Sequence, residues 1–195
     1  MTAVKPKYRV PSMGEVRSVA PNGLTCISTF SGCGGSSLGY RMAGFNVIWA
    51  NEFVEAARAT YKANCGATIV DGSDIRELQP SGVMSTLGLK AGELDLLDGS
   101  PPCCAFSMAG SREKLWGRVS EYSETAQRTD DLFFQYIRFV RELQPKCFIA
   151  ENVKGLVVGK AKGYFKSIFQ ALESCGYRVG ARVLDAQWLG VPQRR

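Results

Sequence analysis

From Leu24 onward the chain alternates short apolar runs with stretches in which apolar residues recur every three to four positions. That alternation is the pattern of a parallel sheet flanked by helices. Strands are predicted over Thr25–Phe30, Asn46–Ala50, Ala67–Val70, Leu94–Leu97, Cys147–Ala150 and Arg178–Leu184. A glycine-rich turn after the first strand opens a short helix ending at Met42. A longer amphipathic helix starts at Thr129 and Asp130 and carries Leu132, Phe133, Tyr136, Ile137, Val140 and Leu143 toward Pro145. A further helix over Tyr164–Ser174 has Gly176 as its stop. The Leu94–Leu97 strand delivers Gly99 onward to the sheet edge where open α/β folds bind ligands. Residues 1–23, with Pro6, Pro11 and Pro21, are predicted to be an extended or mobile lead-in to a domain over 24–195. The polar stretch 109–128, around Trp116, is long for a connection inside a domain and is expected to be a functional lid or a disordered segment.

Composition narrows the chemistry. The 195 residues are 45% hydrophobic and 22% charged, with a net charge of +6, as in one ordinary globular domain. There is no histidine. Ser-His-Asp hydrolysis, His-ligated zinc and the His-Cys-Cys zinc site of nucleobase deaminases are therefore excluded for this chain alone. A general acid or base has to be a carboxylate, Lys, Tyr or Cys. Seven cysteines without a disulfide-like spacing predict a reducing, intracellular setting. No apolar run reaches the ~20 residues of a membrane span, so a soluble protein with no membrane partner is expected. A pI near 9.0 suits a polyanionic partner and equally a solvated Lys-rich surface.

Three constellations carry candidate chemistry. The first is Phe30-Ser31-Gly32-Cys33-Gly34-Gly35, a strand-to-helix turn that lets backbone approach a ligand closely. Glu52 stands twenty residues past Gly32, at the end of the next strand, where a carboxylate accepts hydrogen bonds from ribose hydroxyls. The sixth fingerprint position is Ser37, and no strongly basic partner for a pyrophosphate is near. A phosphate-free nucleoside such as S-adenosylmethionine suits this pattern at least as well as a dinucleotide. Phe53 reads either as a ring stacked on adenine or as core, and Asp74 either as an acceptor from an exocyclic amine or as a helix cap. The second constellation is Asp98-Gly99-Ser100-Pro101-Pro102-Cys103-Cys104-Ala105-Phe106-Ser107. Two prolines hold the chain extended just before a cysteine, which is either a nucleophile or a buried, inert thiol. Adjacent Cys103 and Cys104 lack the separation that lets two thiolates share one zinc, so no metal is expected. The third is Glu151-Asn152-Val153, where a carboxylate at a buried strand's end needs a partner or a task, a capping role being the alternative.

Taken in order with Gly190-Val191-Pro192-Gln193-Arg194-Arg195, these motifs resemble the cytosine-5 DNA methyltransferases from about Leu24 to the last residue. The resemblance implies a Rossmann-like S-adenosylmethionine-dependent methyltransferase fold, α/β with a mostly parallel sheet, incomplete at the carboxyl end. It implies methyl transfer to carbon 5 of a cytosine flipped out of duplex DNA. Cys103 would add to carbon 6 and Glu151 would bind the ring nitrogen and amino group. Arg195, ahead of Arg194, would orient Glu151 and bind the base or backbone. Phe30, Gly32, Cys33, Gly34, Glu52, Phe53, Asp74, Ile75 and Pro102 would form the cofactor site, and the 109–128 segment would close over flipped DNA. Lys154, Lys160, Lys162 and Lys166 would face phosphates, or simply solvent. The implied location is cytoplasmic or nucleoid-associated, or nuclear in a eukaryote, and the implied roles include restriction-modification.

This chain departs from the family's pattern in three ways. Cys104 stands where the family commonly has Gln after the nucleophile. Ser28 stands where it commonly has Asp two places before the glycine-loop Phe. The Gln-x-Arg-x-Arg stretch breaks off at Arg195, before the target-recognition domain and the final helix. A split enzyme with a complementary chain, a truncation and an incomplete copy are all compatible with that. The fragment alone is expected to bind cofactor weakly and to methylate nothing detectable. Alternatives are a cytosine-5 methyltransferase of transfer RNA, a nicotinamide-dependent oxidoreductase built on Gly32 and Glu52, and a catalytically dead remnant acting as a binding module.

Overall fold

In a computed structural model the described residues are 7, 9–102, 120–122, 125–127, 131–157 and 162–193. Five parallel strands form one sheet: β1 (Thr25–Thr29), β2 (Asn46–Asn51), β3 (Ile69–Asp71), β4 (Leu96–Gly99) and, after two short strands, β7 (Cys147–Ala150). Their spatial order is β3-β2-β1-β4-β7. β1 to β3 step outward in one direction, and β4 returns to the other side of β1. The crevice beyond the carboxyl ends of β1 and β4 is therefore the topological switch point.

Helices cover both faces of the sheet. α2 (Gly35–Met42) and α3 (Glu55–Asn64) follow β1 and β2. On their side, Cys26, Val47 and Leu96 pack with Tyr40 and Phe45, and Ala50 packs with Tyr61 and Cys65. The opposite face carries the main core, in which Ile27, Trp49 and Leu97 meet α4 (Pro80–Leu87), α5 (Leu132–Leu143) and α6 (Lys162–Glu173). α5 buries Leu132, Phe133, Tyr136, Ile137, Phe139, Val140 and Leu143, the periodic set read from the sequence plus Phe139. The Phe139 ring stacks on Trp49 with centroids 6.5 Å apart. Each such buried side chain contributes about 1.5–3 kcal/mol through apolar area removed from water. α4 begins with Pro80 in its first turn and ends at Gly88, whose φ of 66° closes the helix.

Three sequence expectations are corrected. The lead-in is not uniformly extended: Ser12 and Glu15 form a reciprocal capping box that starts α1 (Met13–Ser18), and Val16 is buried. Residues 178–184 form no strand, because β7 is the last strand of the described sheet and no described backbone pairs beyond it. Val183 and Leu184 are accordingly 55% and 61% exposed. The strand predicted from Leu94 begins at Leu96, since the Asp95 carboxylate takes hydrogen bonds from the Thr25 amide and Lys146 Nζ at the sheet's lower edge. Within the polar connection, β5 (Ser120–Tyr122) and β6 (Thr125–Gln127) pair antiparallel, and the rest of 109–128 lies outside the described residues.

Tyr136 ties α5 to the sheet, its hydroxyl lying 3.1 Å from the carbonyl oxygens of Leu97 and Ile149, to which it donates. Its ring packs against Gly99. A Cβ at Gly99 would stand 2.5 Å from two Tyr136 ring carbons and 2.7 Å from Thr29 Oγ1. Gly99→Ala is therefore expected to lower stability by about 1–3 kcal/mol through overpacking, read from the midpoint of urea denaturation. An unchanged midpoint would contradict this packing.

Candidate functional site

One row of the parallel ladder sets the level at which all five strands end. Asp71, Asn51, Thr29, Gly99 and Ala150 are register partners across the sheet. The residues just past that row emerge together, held by main-chain bonds from Glu52 N to Asp71 O and from Glu151 N to Gly99 O. They surround a cavity of about 490 Å³. The turn after β1 contributes Phe30, Gly32 and Cys33; the last residue of β2 and the segment after it contribute Asn51 to Val54; the turn after β3 contributes Asp74 and Ile75. Ser100 and Pro102 follow β4, Glu151 follows β7, and Ala57 of α3 and Leu132 of α5 complete the wall.

The glycine turn is held by backbone geometry and by one carboxylate. Phe30 has φ of 52°, a left-handed conformation that costs a bulky residue about 1–3 kcal/mol and persists only where its surroundings impose it. Gly34, with φ of 95°, caps α2, and its α-carbon faces the Tyr61 ring, where a Cβ would come within 3.0 Å. Gly34 thus shapes the turn from behind and does not line the cavity. Glu52 is 8% exposed; its Oε2 accepts from Gly32 N and its Oε1 from Val54 N, both at 2.7 Å. Each oxygen keeps a further lone pair for a ligand hydroxyl.

The second wall is equally fixed. Arg58 Nη1 donates to the carbonyls of Glu52 and Phe53 at 3.1 and 3.0 Å, and its guanidinium fills the space beside Gly72. Asn51 Nδ2 donates to Ser73 O at 2.9 Å. Phe53 is partly exposed on the cavity wall rather than buried in the core. Asp74 meets both of its readings: Oδ1 closes a turn by accepting from Arg76 N at 2.9 Å, and the residue lines the cavity. Arg76 pairs with Asp74 and reaches Asp131, ahead of α5, with two nitrogens at 2.9 and 2.7 Å. Across the cavity, Asn152 Nδ2 donates to Pro101 O at 3.0 Å, joining the Glu151-Asn152 turn to the segment carrying Pro102.

Eight of the nine cofactor-site residues expected from the sequence, and Glu151, come together here. Cys103, Cys104, Arg194 and Arg195 lie outside the described residues. Ser100 stands in the second constellation without an assigned role, and Asn51 immediately precedes Glu52. Val54, Ala57 and Leu132 carry no chemical signal and come to the wall through the placement of α3 and α5. The wall holds three carboxylates, Glu52, Asp74 and Glu151, and among the described residues no Lys or Arg.

The family model of C-5 cytosine-specific DNA methylases matches residues 24–195. The chain belongs to that family. It is 34% identical over 174 residues to the Type II methyltransferase M.NgoPII of Neisseria gonorrhoeae, covering 89% of this chain and 46% of that protein. It is 36% identical over 169 residues to M.NgoFVII of the same organism, covering 87% and 41%. Among solved structures it superposes on a protein described as a DNA modification methyltransferase encoded within an E. coli prophage, with a TM-score of 0.61, 30% identity and coverage of 78% and 38%. Spodoptera frugiperda DNMT2, at 20% identity and a TM-score of 0.53 over 77% of this chain and 41% of that one, shares the fold. The chain spans less than half the length of these relatives.

Glu52 is the bond between the glycine turn and the start of α3. Glu52→Ala is expected to cost about 1–3 kcal/mol for each amide left unpaired, with Glu52→Gln losing less. Amide exchange at Gly32 and Val54 reads this directly, and unaltered rates in Glu52→Ala would contradict the role.

Proposed function

We propose that this chain is the cofactor-binding and nucleophile-bearing part of a DNA (cytosine-5-)-methyltransferase acting on a cytosine flipped from duplex DNA. The observation that carries the reading is the cavity's charge. Three carboxylates and no described Lys or Arg line it, which disfavours a pyrophosphate and suits a nucleoside bearing positive charge. A nicotinamide dinucleotide would meet that wall with its own negative charges.

The residues present fit S-adenosylmethionine. Glu52 has lone pairs left for the ribose hydroxyls; Phe53 offers a ring face and Asp74 an acceptor for the adenine amine. Phe30, Gly32, Cys33 and Ile75 form the remaining contacts, Gly34 shapes the turn, and Pro102 separates cofactor from base. When bound, the cofactor supplies an electrophilic methyl group.

Carbon 5 of cytosine is too weak a nucleophile to attack a methyl group unaided. The Cys103 thiolate adds to carbon 6, forming a carbon–sulfur bond as the carbon 5–carbon 6 π bond breaks toward carbon 5; once carbon 5 carries the methyl group, loss of its proton re-forms the double bond and expels the thiolate. Glu151 binds the ring nitrogen and amino group and stabilises the charge that develops on addition. Support for its placement comes from the bonds fixing its turn, Glu151 N to Gly99 O and Asn152 Nδ2 to Pro101 O. Arg195 orients Glu151, and the 109–128 segment covers the flipped base. The Type II methyltransferase relatives favour a restriction-modification role.

The test is covalent trapping. With S-adenosylmethionine and duplex DNA containing 5-fluorocytosine, the chain supplemented with the carboxyl-terminal half of a relative is expected to form an adduct at Cys103, seen by mass spectrometry and lost in Cys103→Ser. Absence of an adduct in a folded, cofactor-binding assembly would contradict the reading, as would an adduct on structured RNA alone.

A further inference from the structure

Behind the glycine turn, outside the cavity, lies a carboxylate that the chemistry above does not use. Asp98 of β4 is 2% exposed. Its Oδ2 accepts from Ser28 Oγ of β1 and from Ser36 Oγ of α2, each at 2.8 Å, and its Oδ1 accepts from Tyr40 Oη of α2 at 2.9 Å. Ser28 and Asp98 are direct register partners, so their side chains leave the same face of the sheet toward α2. Burial pushes the Asp98 carboxyl above the usual carboxylate range, while the bonds from Ser28, Ser36 and Tyr40 pull it back. A buried carboxylate is retained only where donors replace its lost water, and three hydroxyls from two elements supply them.

The placement of those donors gives the group a direction of action. Ser36 and Tyr40 sit on the helix that the glycine turn opens, one and five residues past Gly35. Asp98 sits four residues before Pro102, on the strand that carries the Pro-Pro-Cys segment. We propose that Asp98 is a positioning residue: through Ser28, Ser36 and Tyr40 it locks the glycine turn and α2 to β4, the strand that leads into Pro102, fixing the cofactor against the Pro102 wall of the cavity. The functional half of this statement rests on the methyltransferase reading; the anchoring half does not.

Because Ser28 and Asp98 face each other across the ladder, acid and hydroxyl can be exchanged between them. Hydrogen exchange by mass spectrometry on the ligand-free 195-residue chain compares wild type, Asp98→Ser and the exchanged Ser28→Asp/Asp98→Ser. Asp98→Ser is expected to speed exchange over residues 30–42 roughly tenfold, the loss of one set of charge-assisted bonds, with 132–143 unchanged. The exchanged pair is expected to return 30–42 to within about twofold of wild type. Asp98→Asn, which keeps the shape and one acceptor oxygen, makes the comparison if Asp98→Ser does not fold. Unaltered exchange at 30–42, equal loosening throughout the chain, or an exchanged pair that does not recover each overturns the anchoring. S-adenosylmethionine affinity, by calorimetry, is read on the same proteins and should weaken in Asp98→Ser and recover in the exchanged pair. If wild type does not bind the cofactor while the exchange pattern holds, the methyltransferase reading falls and the anchoring stands. If wild type binds it and Asp98→Ser binds equally well, the positioning role is overturned.

Discussion

The shared level at which five parallel strands end is the constraint on which this molecule's chemistry depends. Register from Asp71 through Asn51, Thr29 and Gly99 to Ala150 is what lets Glu52, Phe30, Ser100 and Glu151 emerge side by side from strands far apart in sequence. A slip of one residue in any strand would turn its side chains to the other face of the sheet. The absent side chain of Gly99 belongs to the same constraint, since it admits the Tyr136 ring that clamps β4 and β7 just below the site.

Charge is distributed against the molecule's average. The chain carries +6 overall, yet the cavity wall is carboxylate-rich. Two of those carboxylates also serve the fold, Glu52 by binding two main-chain amides and Asp74 by holding Arg76. If the cavity takes the proposed nucleoside, binding and folding share the same atoms, and substitutions at these positions then affect stability and ligand affinity together.

Much of this was legible in the sequence because the governing signals are local. The glycine turn and the Glu52 spacing follow from one strand-turn-helix-strand unit, and the α5 face from its period. Most of what escaped has tertiary causes, α1 being the exception. The Val183 and Leu184 run has a strand's composition, but a strand needs a partner, and the described sheet stops at β7. The Ser12-x-x-Glu15 signal of α1 lay among prolines that suggested extension. Asp98 heads the second constellation without a role of its own, because its donors come from positions 28, 36 and 40. Ser28, a departure from the resembled family's pattern, has its acid across the ladder at Asp98.

The central claim is that this cavity takes a phosphate-free, positively charged nucleoside beside the Pro102 segment. Isothermal titration of the folded chain with S-adenosylmethionine and, separately, with NAD tests it most directly. The account predicts saturable if weak heat with S-adenosylmethionine, diminished in Glu52→Ala, and none with NAD. Binding of NAD in preference, or binding of S-adenosylmethionine indifferent to Glu52, would contradict it.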